Sequence, residues 1–429
     1  MSNTELDVIG IGFGPGNLSF AVALEERWPG IRAVYLEARP EPSWQPGMML
    51  DRSDIQNNPV RDLVSPVDPR SRYSFLNYLH ETGRLFEYLN LGLEYPFRLE
   101  YARYITWAAE IVGADVRYGT HVEEVVSDGL GYALVRSSDG REFRAPAVVV
   151  APGRTPRVPA VFAGLGEERA VHFTKYLEAV AGLDGARPRI AVIGGSQSAV
   201  ELLLDLRSRF PEGEIRGIVR SFGFRQKDTS PFMDEVYLPG FVDYYYKSSE
   251  DSKRALSQDL RFTNYSAADI DVIRQLYVTM YEDRMNDREV VRLNRNTDVI
   301  SCEETAKGLL VRCRERHTGE LRELEVDLVI LATGFLDLGA PGSDQQFLPP
   351  ILDSFADRVR TTSSGHASIA RDYRLELVSG EDDPTIYLNG LCETSHGMGD
   401  AGSFSLLSVR AEELARSMSK NLRRAENVS

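Results

Sequence analysis

The sequence predicts an α/β protein with two Rossmann-like dinucleotide-binding domains, the second inserted in the first, and a small, mainly helical substrate region. Three observations predict it. Asp7-Val-Ile-Gly-Ile-Gly-Phe-Gly-Pro-Gly-Asn-Leu18 reads as a buried strand, a glycine turn and the start of a helix. Arg189-Ile-Ala-Val-Ile-Gly-Gly-Ser-Gln-Ser-Ala-Val-Glu201 repeats that pattern about 180 residues later. A third buried strand, Val326-Asp-Leu-Val-Ile-Leu-Ala-Thr-Gly-Phe335, ends in Ala-Thr-Gly. A strand–turn–helix unit lets backbone N–H groups approach a pyrophosphate, which then sits at the positive end of the helix. The division implied is a split first domain, residues 1–185 and 327–429, and an inserted domain, residues 186–326, with 228–285 contributing the substrate region.

Composition narrows the classes. A chain of 429 residues carries two or three domains, and 42% hydrophobic residues supply sizeable cores. The net charge of −15, with no basic run, argues against nucleic acid or an anionic membrane as partner. No apolar run reaches the roughly 18–20 residues that span a bilayer. The start, Met1-Ser-Asn-Thr-Glu5, has neither the basic nor the apolar region of a signal peptide, so a cytoplasmic protein is expected. Cys302, Cys313 and Cys392 show no CxxC spacing, against a disulfide framework, a metal site or a dithiol redox centre.

In chain order, Val8, Ile9 and Ile11 form the first strand, Gly12, Gly14 and Gly16 the turn, and residues 18–24 the helix. The fingerprint is Gly-x-Gly-x-x-Asn, with Asn17 at the third glycine position. Glu37 ends the next apolar run, Ala33-Val-Tyr-Leu-Glu37, where an acid accepts from ribose hydroxyls. Three prolines between residues 38 and 47 exclude a long helix there. Phe75, Leu76, Leu79 and Leu85 give residues 73–85 helical spacing, and 101–112 read as another amphipathic helix. Residues 116–126 and 132–135 read as short antiparallel strands, and Ala147-Val-Val-Val-Ala-Pro-Gly153 as a buried strand ending in a turn.

The second unit has its turn at Gly194-Gly-Ser196, a helix through residue 206 and a strand at 215–219. Arg220 ends that strand, where an arginine suits a 2′-phosphate and favours NADP over NAD; a solvated strand end is the plain alternative. Residues 222–265 read as irregular and aromatic-rich, a usual place for substrate contacts. A helix over 268–285, strands at 290–293, 309–313, 321–325 and 386–388, and a terminal helix over 404–421 complete the reading.

Two dinucleotide turns point to a flavoprotein, with FAD on the first site, NAD(P)H on the second and hydride passing between them. Disulfide reductases share that layout but need a cysteine pair beside the flavin, and none of the three cysteines offers one. Flavin monooxygenases and electron-transfer reductases remain. In the former, reduced flavin forms a C4a-hydroperoxide, which the protein keeps dry beside a nucleophile. Phe162-x-Gly164, His172 and Tyr176 give weak support to the monooxygenase class.

Nearly the whole chain resembles the N-hydroxylating flavin monooxygenases, the ornithine and lysine side-chain hydroxylases of siderophore pathways. The resemblance is carried by Gly12-Phe-Gly-Pro-Gly-Asn17, Trp44-Gln-Pro-Gly-Met48, Gln56, Arg61-Asp-Leu63, Ser74-Phe-Leu-Asn-Tyr-Leu79 and Tyr95-Pro-Phe-Arg98. It continues through Gly194-Gly-Ser-Gln-Ser-Ala199, Ser230-Pro-Phe232, Thr263-Asn-Tyr-Ser266, Ala332-Thr-Gly334, His396-Gly397 and residues 405–410. It implies FAD, NADPH and O2, an NADP⁺ that stays bound, an uncharged primary amine as nucleophile, and a homo-oligomer, dimer or tetramer.

By the same resemblance, Gly12, Gly14, Asn17, Glu37, Trp44, Gln45, Gln56, Thr333, Gly334 and Leu407 fall to FAD. Gly194, Ser196, Gln197, Ser198 and Arg220 fall to NADPH. Gln56 lies against the flavin, Asn264 bridges the nicotinamide ribose and the amine, and Ser405 faces the amine; these three form the catalytic set. Arg61, Asp234, Leu238, Asn264 and Ser405 form the substrate set, and His396 falls in a structural turn. Several positions depart from the family pattern. Gln45 stands for a histidine, Ser196 for the second glycine of the NADPH turn, and Arg61 for the lysine that holds the α-carboxylate. Asp234 takes the first position of an Asn-Glu pair, Leu238 replaces a polar residue, and residues 400–404 run one residue longer. Ornithine, lysine and diamines remain open as substrates. The alternatives are oxidation of carbon or sulfur, or a flavin-binding protein that has lost turnover.

Overall fold

The computed structural model describes residues 6–183, 187–378 and 382–426; residues 1–5 and the domain boundary drawn at 185–186 lie outside them. The first sheet runs Thr385–Leu388, Ala147–Val150, Val8–Ile11, Ala33–Leu36, Asp115–Arg117, with every neighbouring pair parallel. Val8–Ile11 and Ala147–Val150 are buried along their whole length, as strands covered on both faces must be. Pro15–Arg27 follows the first strand, with proline in its first turn, where the missing N–H costs nothing. The terminal helix Leu407–Glu426 packs on it.

The second sheet runs Val291–Asn294, Glu214–Ile218, Arg189–Ile193, Leu328–Leu331, Ala170–His172, again all parallel. Successive residues point to opposite faces of a strand. Ile190, Val192, Leu328 and Ile330 enter one core with the helix Gln197–Arg209. Ala191, Val329 and Leu331 enter another, closed by Leu309, Val311 and Cys313 of the antiparallel sheet Thr297–Thr305, Gly308–Glu315, Leu321–Val326. A second small antiparallel sheet, Val122–Ser127, Ala133–Ser137, Glu142–Ala145, belongs to the first half.

Several expectations are corrected. The strand ending in Ala-Thr-Gly lies in the second sheet beside Arg189–Ile193, not with the first. Ala170–His172 joins it there, so strands on both sides of the inserted segment complete the inserted sheet. Residues 116–126 divide into Asp115–Arg117, a parallel edge strand, and Val122–Ser127. Residues 222–265 hold two helices, Pro239–Lys247 and Glu250–Asp259, the second capped by Ser249. Their aromatic and polar composition hides the pattern, because the helices are short and mostly solvent-facing. Among the described residues no helix is long and apolar enough to cross a membrane.

Candidate active site

The carboxyl ends of both parallel sheets open on one cleft of about 1910 Å³. That exceeds the roughly 300–1,000 Å³ of a pocket for one small ligand. Its place at the strand ends is where doubly wound sheets bind nucleotides.

At the first sheet the turn is shaped by contact. Gly12 has φ +80, and a Cβ there would lie 2.3 Å from the Ala151 carbonyl oxygen, so only glycine fits. Gly14 precedes the helix Pro15–Arg27, and a Cβ on it would meet nothing within 4 Å. The helix N-terminus therefore faces free space in the cleft. Glu37 Oε2 accepts from the Phe13 N–H at 2.7 Å and Oε1 from that of Arg39 at 2.9 Å, which fixes the carboxylate beside the turn. Trp44, Gln45, Gln56 and Leu407 line the same wall. Gln45 and Gln56 hold φ of 46 and 52, a conformation that costs non-glycine residues about 1–3 kcal/mol and collects at functional sites. Asp54 Oδ1 accepts from the Gln56 N–H at 2.9 Å, and burial pushes the Asp54 carboxyl up to about 6. The Gln56 Nε2 is buried with no protein partner, a donor left for a ligand.

Asn17 is the first correction to the site. It is fully buried and off the cleft wall. Its Nδ2 donates to the carbonyls of Ile11 and Gly12 at 3.2 and 2.8 Å, and its Oδ1 accepts from Asn389 at 3.0 Å. Asn389 in turn accepts from Arg410, which pairs with Asp400. Asn17 thus braces the turn against the terminal helix from beneath and does not line the cleft.

At the second sheet Gly194 has φ +152, and a Cβ there would lie 2.2 Å from the Ala332 carbonyl oxygen. Ser196 is the N-cap of Gln197–Arg209 but makes no side-chain cap bond. Gln197 donates to Glu201 at 3.0 Å and accepts from the Asp269 N–H at 2.8 Å. Ser198, Thr333 and Gly334 share this wall, and the exposed Arg220 stands at its far end. Arg316 stands beside it, donating to the Arg220 carbonyl at 3.5 Å. Sequence reading missed Arg316, which comes from the neighbouring hairpin and carries no local signal.

At the third part of the wall, Arg61 Nη1 donates to Ser405 Oγ at 3.2 Å, and Ser405 Oγ donates to Asn57 Oδ1 at 3.1 Å. Among the described residues no ion pair is formed by Arg61, which lines the cleft. Phe404 packs edge-on against Trp44 and Tyr101, with ring centroids 5.3 and 5.0 Å apart. Asp234 and Asn264 complete this region. Leu238 does not: it is 45% exposed, off the wall, and serves as the N-cap position of Pro239–Lys247. His396 is fully buried, stacked on Tyr373, and burial pushes it down to about 4.

A polar cluster that sequence reading missed adjoins Asn264. Tyr265 donates to Glu393 Oε2 at 2.6 Å, Arg154 Nη1 donates to the Tyr265 oxygen at 3.1 Å, and Arg154 Nη2 donates to Asp337 Oδ1 at 2.5 Å. Its members are scattered over 240 positions of sequence and meet only through the fold.

Two glycine turns facing one cleft, an orphaned amide beside the first, and an arginine on the same wall with no ion partner among the described residues define a two-dinucleotide flavin-dependent monooxygenase. The residues fit both groups, since the helix N-termini and glycine backbones are open where diphosphates would lie. The family model for L-lysine 6-monooxygenase/L-ornithine 5-monooxygenase matches residues 4–337. An L-ornithine N(5)-monooxygenase from Pseudomonas aeruginosa is 35% identical over 97% of this chain and 94% of its own. The solved ornithine hydroxylase from Pseudomonas aeruginosa has a TM-score of 0.88 and 34% identity, covering 98% of this chain and 100% of its own. The Kutzneria sp. 744 ornithine N-hydroxylase, with reduced FAD, NADP⁺ and L-ornithine, has a TM-score of 0.90 and 31% identity, covering 97% and 99%. The chain belongs to the L-lysine 6-monooxygenase/L-ornithine 5-monooxygenase family, whose members are FAD- and NADPH-dependent oxygenases.

Proposed function

We propose that this chain N-hydroxylates the side-chain amine of a carboxylate-bearing substrate, ornithine or lysine, at the expense of NADPH and O2. The observation that carries the reading is Arg61, half-buried, held by Ser405 and without an ion partner among the described residues. An arginine in that state is matched by a carboxylate, which it grips bidentately. The named activity of the relatives supports ornithine. A diamine would leave Arg61 unpaired.

FAD, when bound, supplies the redox chemistry that activates oxygen. The Gly12–Gly14 turn and the helix behind it would hold its diphosphate, and Glu37 its ribose. Trp44, Gln45, Thr333, Gly334 and Leu407 would frame it, and Gln56 Nε2 would donate to it. Gly194, Ser196, Gln197 and Ser198 would hold NADPH, with Arg220 and its neighbour Arg316 on the 2′-phosphate. Arg61 fixes the substrate carboxylate, Asp234 adds a negative charge nearby, and Asn264 and Ser405 orient the amine. Phe404, Trp44 and Tyr101 keep water from that end of the cleft.

We take the two cofactor domains to divide according to the sheets, so that Ala170–His172 and Leu328–Leu331 go with NADPH. The setting is a cytoplasmic one, in siderophore or other secondary-metabolite synthesis. A homo-oligomer is supported by the helix Ile270–Met285, whose exposed stripe carries Ile270, Tyr277, Val278, Tyr281 and Met285. An antiparallel second copy would bring Asp271 toward Arg284 across that stripe. Anaerobic NADPH should bleach the yellow holoenzyme, and air with ornithine or lysine should then yield hydroxylamine. A protein that bleaches and yields only peroxide with every carboxylate-bearing amine would overturn the reading.

A further inference from the structure

A primary amine reaches the cleft as an ammonium, with a pKa of about 10.4, and cannot act as a nucleophile until it has lost a proton. The substrate pocket contains a group placed to take that proton. We propose that Glu393, acting through the Tyr265 hydroxyl, accepts the proton of the substrate ammonium; this rests on the amine-hydroxylase reading above.

The geometry is specific. Gly402 has no side chain, and a Cβ built there would lie 3.2 Å from Asn264 Nδ2 and 3.5 Å from the Tyr265 oxygen. The amide, the phenol and Arg154 Nη1, the last at 3.6 Å, therefore face the same small volume on the cleft wall, where the guanidinium favours the neutral amine over the ammonium. Tyr265 passes its own hydrogen to Glu393 Oε2, 2.6 Å away. Glu393 is largely buried, and its nearest cation, Arg154, is spent elsewhere. Arg154 lies 2.5 Å from Asp337 but 3.9 Å from Glu393. One arginine thus serves two carboxylates and favours the other. Asp337, Arg154, Tyr265 and Asp400 face Glu393 from four different segments, and Tyr237 and Tyr245 stand within its field.

Burial, then the negative Asp337, push Glu393 up to about 8. An ordinary carboxylate near 4.3 is too weak a base for an alkylammonium, whereas one near 8 closes most of the gap. The transfer balances: the ammonium gives one proton to the Tyr265 oxygen, Tyr265 gives its own to the Glu393 carboxylate, and a neutral amine and a carboxylic acid remain. Glu393 acts here as a positioning residue behind Tyr265, whose oxygen shares that volume with the Asn264 amide and Arg154 Nη1.

The test uses Glu393→Gln and Tyr265→Phe holoenzymes, with hydroxylamine yield per NADPH followed against pH for one amine and for its β,β-difluoro analogue. The analogue is neutral at lower pH and needs no base. The wild type is expected to gain hydroxylation with a midpoint near 8. Both variants should move that midpoint toward the amine's own pKa, losing at least ~10-fold near neutral pH. The analogue should restore them, while anaerobic flavin reduction by NADPH stays within about twofold. A Glu393→Gln midpoint unchanged from wild type, or a loss that the analogue does not restore, would overturn the assignment. Absence of hydroxylamine from the wild type with every amine would instead overturn the function reading.

Discussion

Arg98 and Glu201 join the two nucleotide-binding halves through a buried ion pair, with Arg98 Nη2 at 3.1 and 3.0 Å from the two carboxylate oxygens. Arg98 also donates to the carbonyls of Met48 at 2.9 Å and Asp54 at 3.1 Å, so the segment that presents Gln56 is tied to the helix that follows the second glycine turn. Side-chain exposure of 10% and 7% leaves neither charge a second solvent. Removing one partner of a buried pair strands the other, at about 3–5 kcal/mol. Arg98→Met should therefore lower the melting temperature of the holoenzyme sharply, and should slow hydride transfer measured by stopped-flow bleaching. Wild-type values of both would mean that the halves are held by other contacts.

Arg61→Ala should raise KM about 10–100-fold for a carboxylate-bearing amine, the loss of a charge-assisted bond of about 1.5–3 kcal/mol. A plain diamine of the same length should change little. Equal effects on the two substrates, in steady-state assays of hydroxylamine, would remove Arg61 as the carboxylate ligand.

Gln56 lines the cleft, held in a left-handed turn, and its buried Nε2 has no partner among the described residues. Gln56→Ala should keep the protein folded and flavin-loaded, because no protein hydrogen bond of that side chain is lost. The yield of hydroxylamine per NADPH should fall severalfold and peroxide should rise. Coupling equal to wild type would make the amide a bystander.

His396 is buried neutral against Tyr373, Asp400 and the Arg371 carbonyl, and its pKa is pushed down to about 4 by burial. The unfolded chain protonates near 6.5. Stability from this group is thus complete above about 6.5 and is lost as pH falls toward 4, on the order of 3 kcal/mol over the window. His396→Gln should flatten the acid side of a melting-temperature profile, while lowering its plateau. An acid slope identical to wild type would assign acid lability to other groups.

The legible part of the molecule is its local punctuation. Gly12, Gly14 and Gly194 announce their turns because strand, turn and helix are contiguous, and each does stand at the cleft. Asn17 shows the limit, since the same fingerprint position supports the turn from below through Asn389 and lies off the cleft wall. Leu238 shows it again, pointing outward although its neighbours Asp234 and Tyr237 line the wall. The Ala332-Thr-Gly334 strand was legible as a buried strand but not by partner, because a fully apolar run has no register mark to name its sheet. Arg154, Tyr265, Asp337 and Glu393 left no pattern, being brought together from four separate segments.

A carboxylate-bearing primary amine is the proposed substrate that completes the cleft. Its most direct test is a panel of ornithine, lysine, putrescine and cadaverine, with NADPH oxidation, oxygen uptake and hydroxylamine measured in parallel on the holoenzyme. Near one hydroxylamine per NADPH is predicted for ornithine or lysine, with the diamines mostly uncoupled. Tight coupling with a diamine and peroxide alone from both amino acids would contradict it.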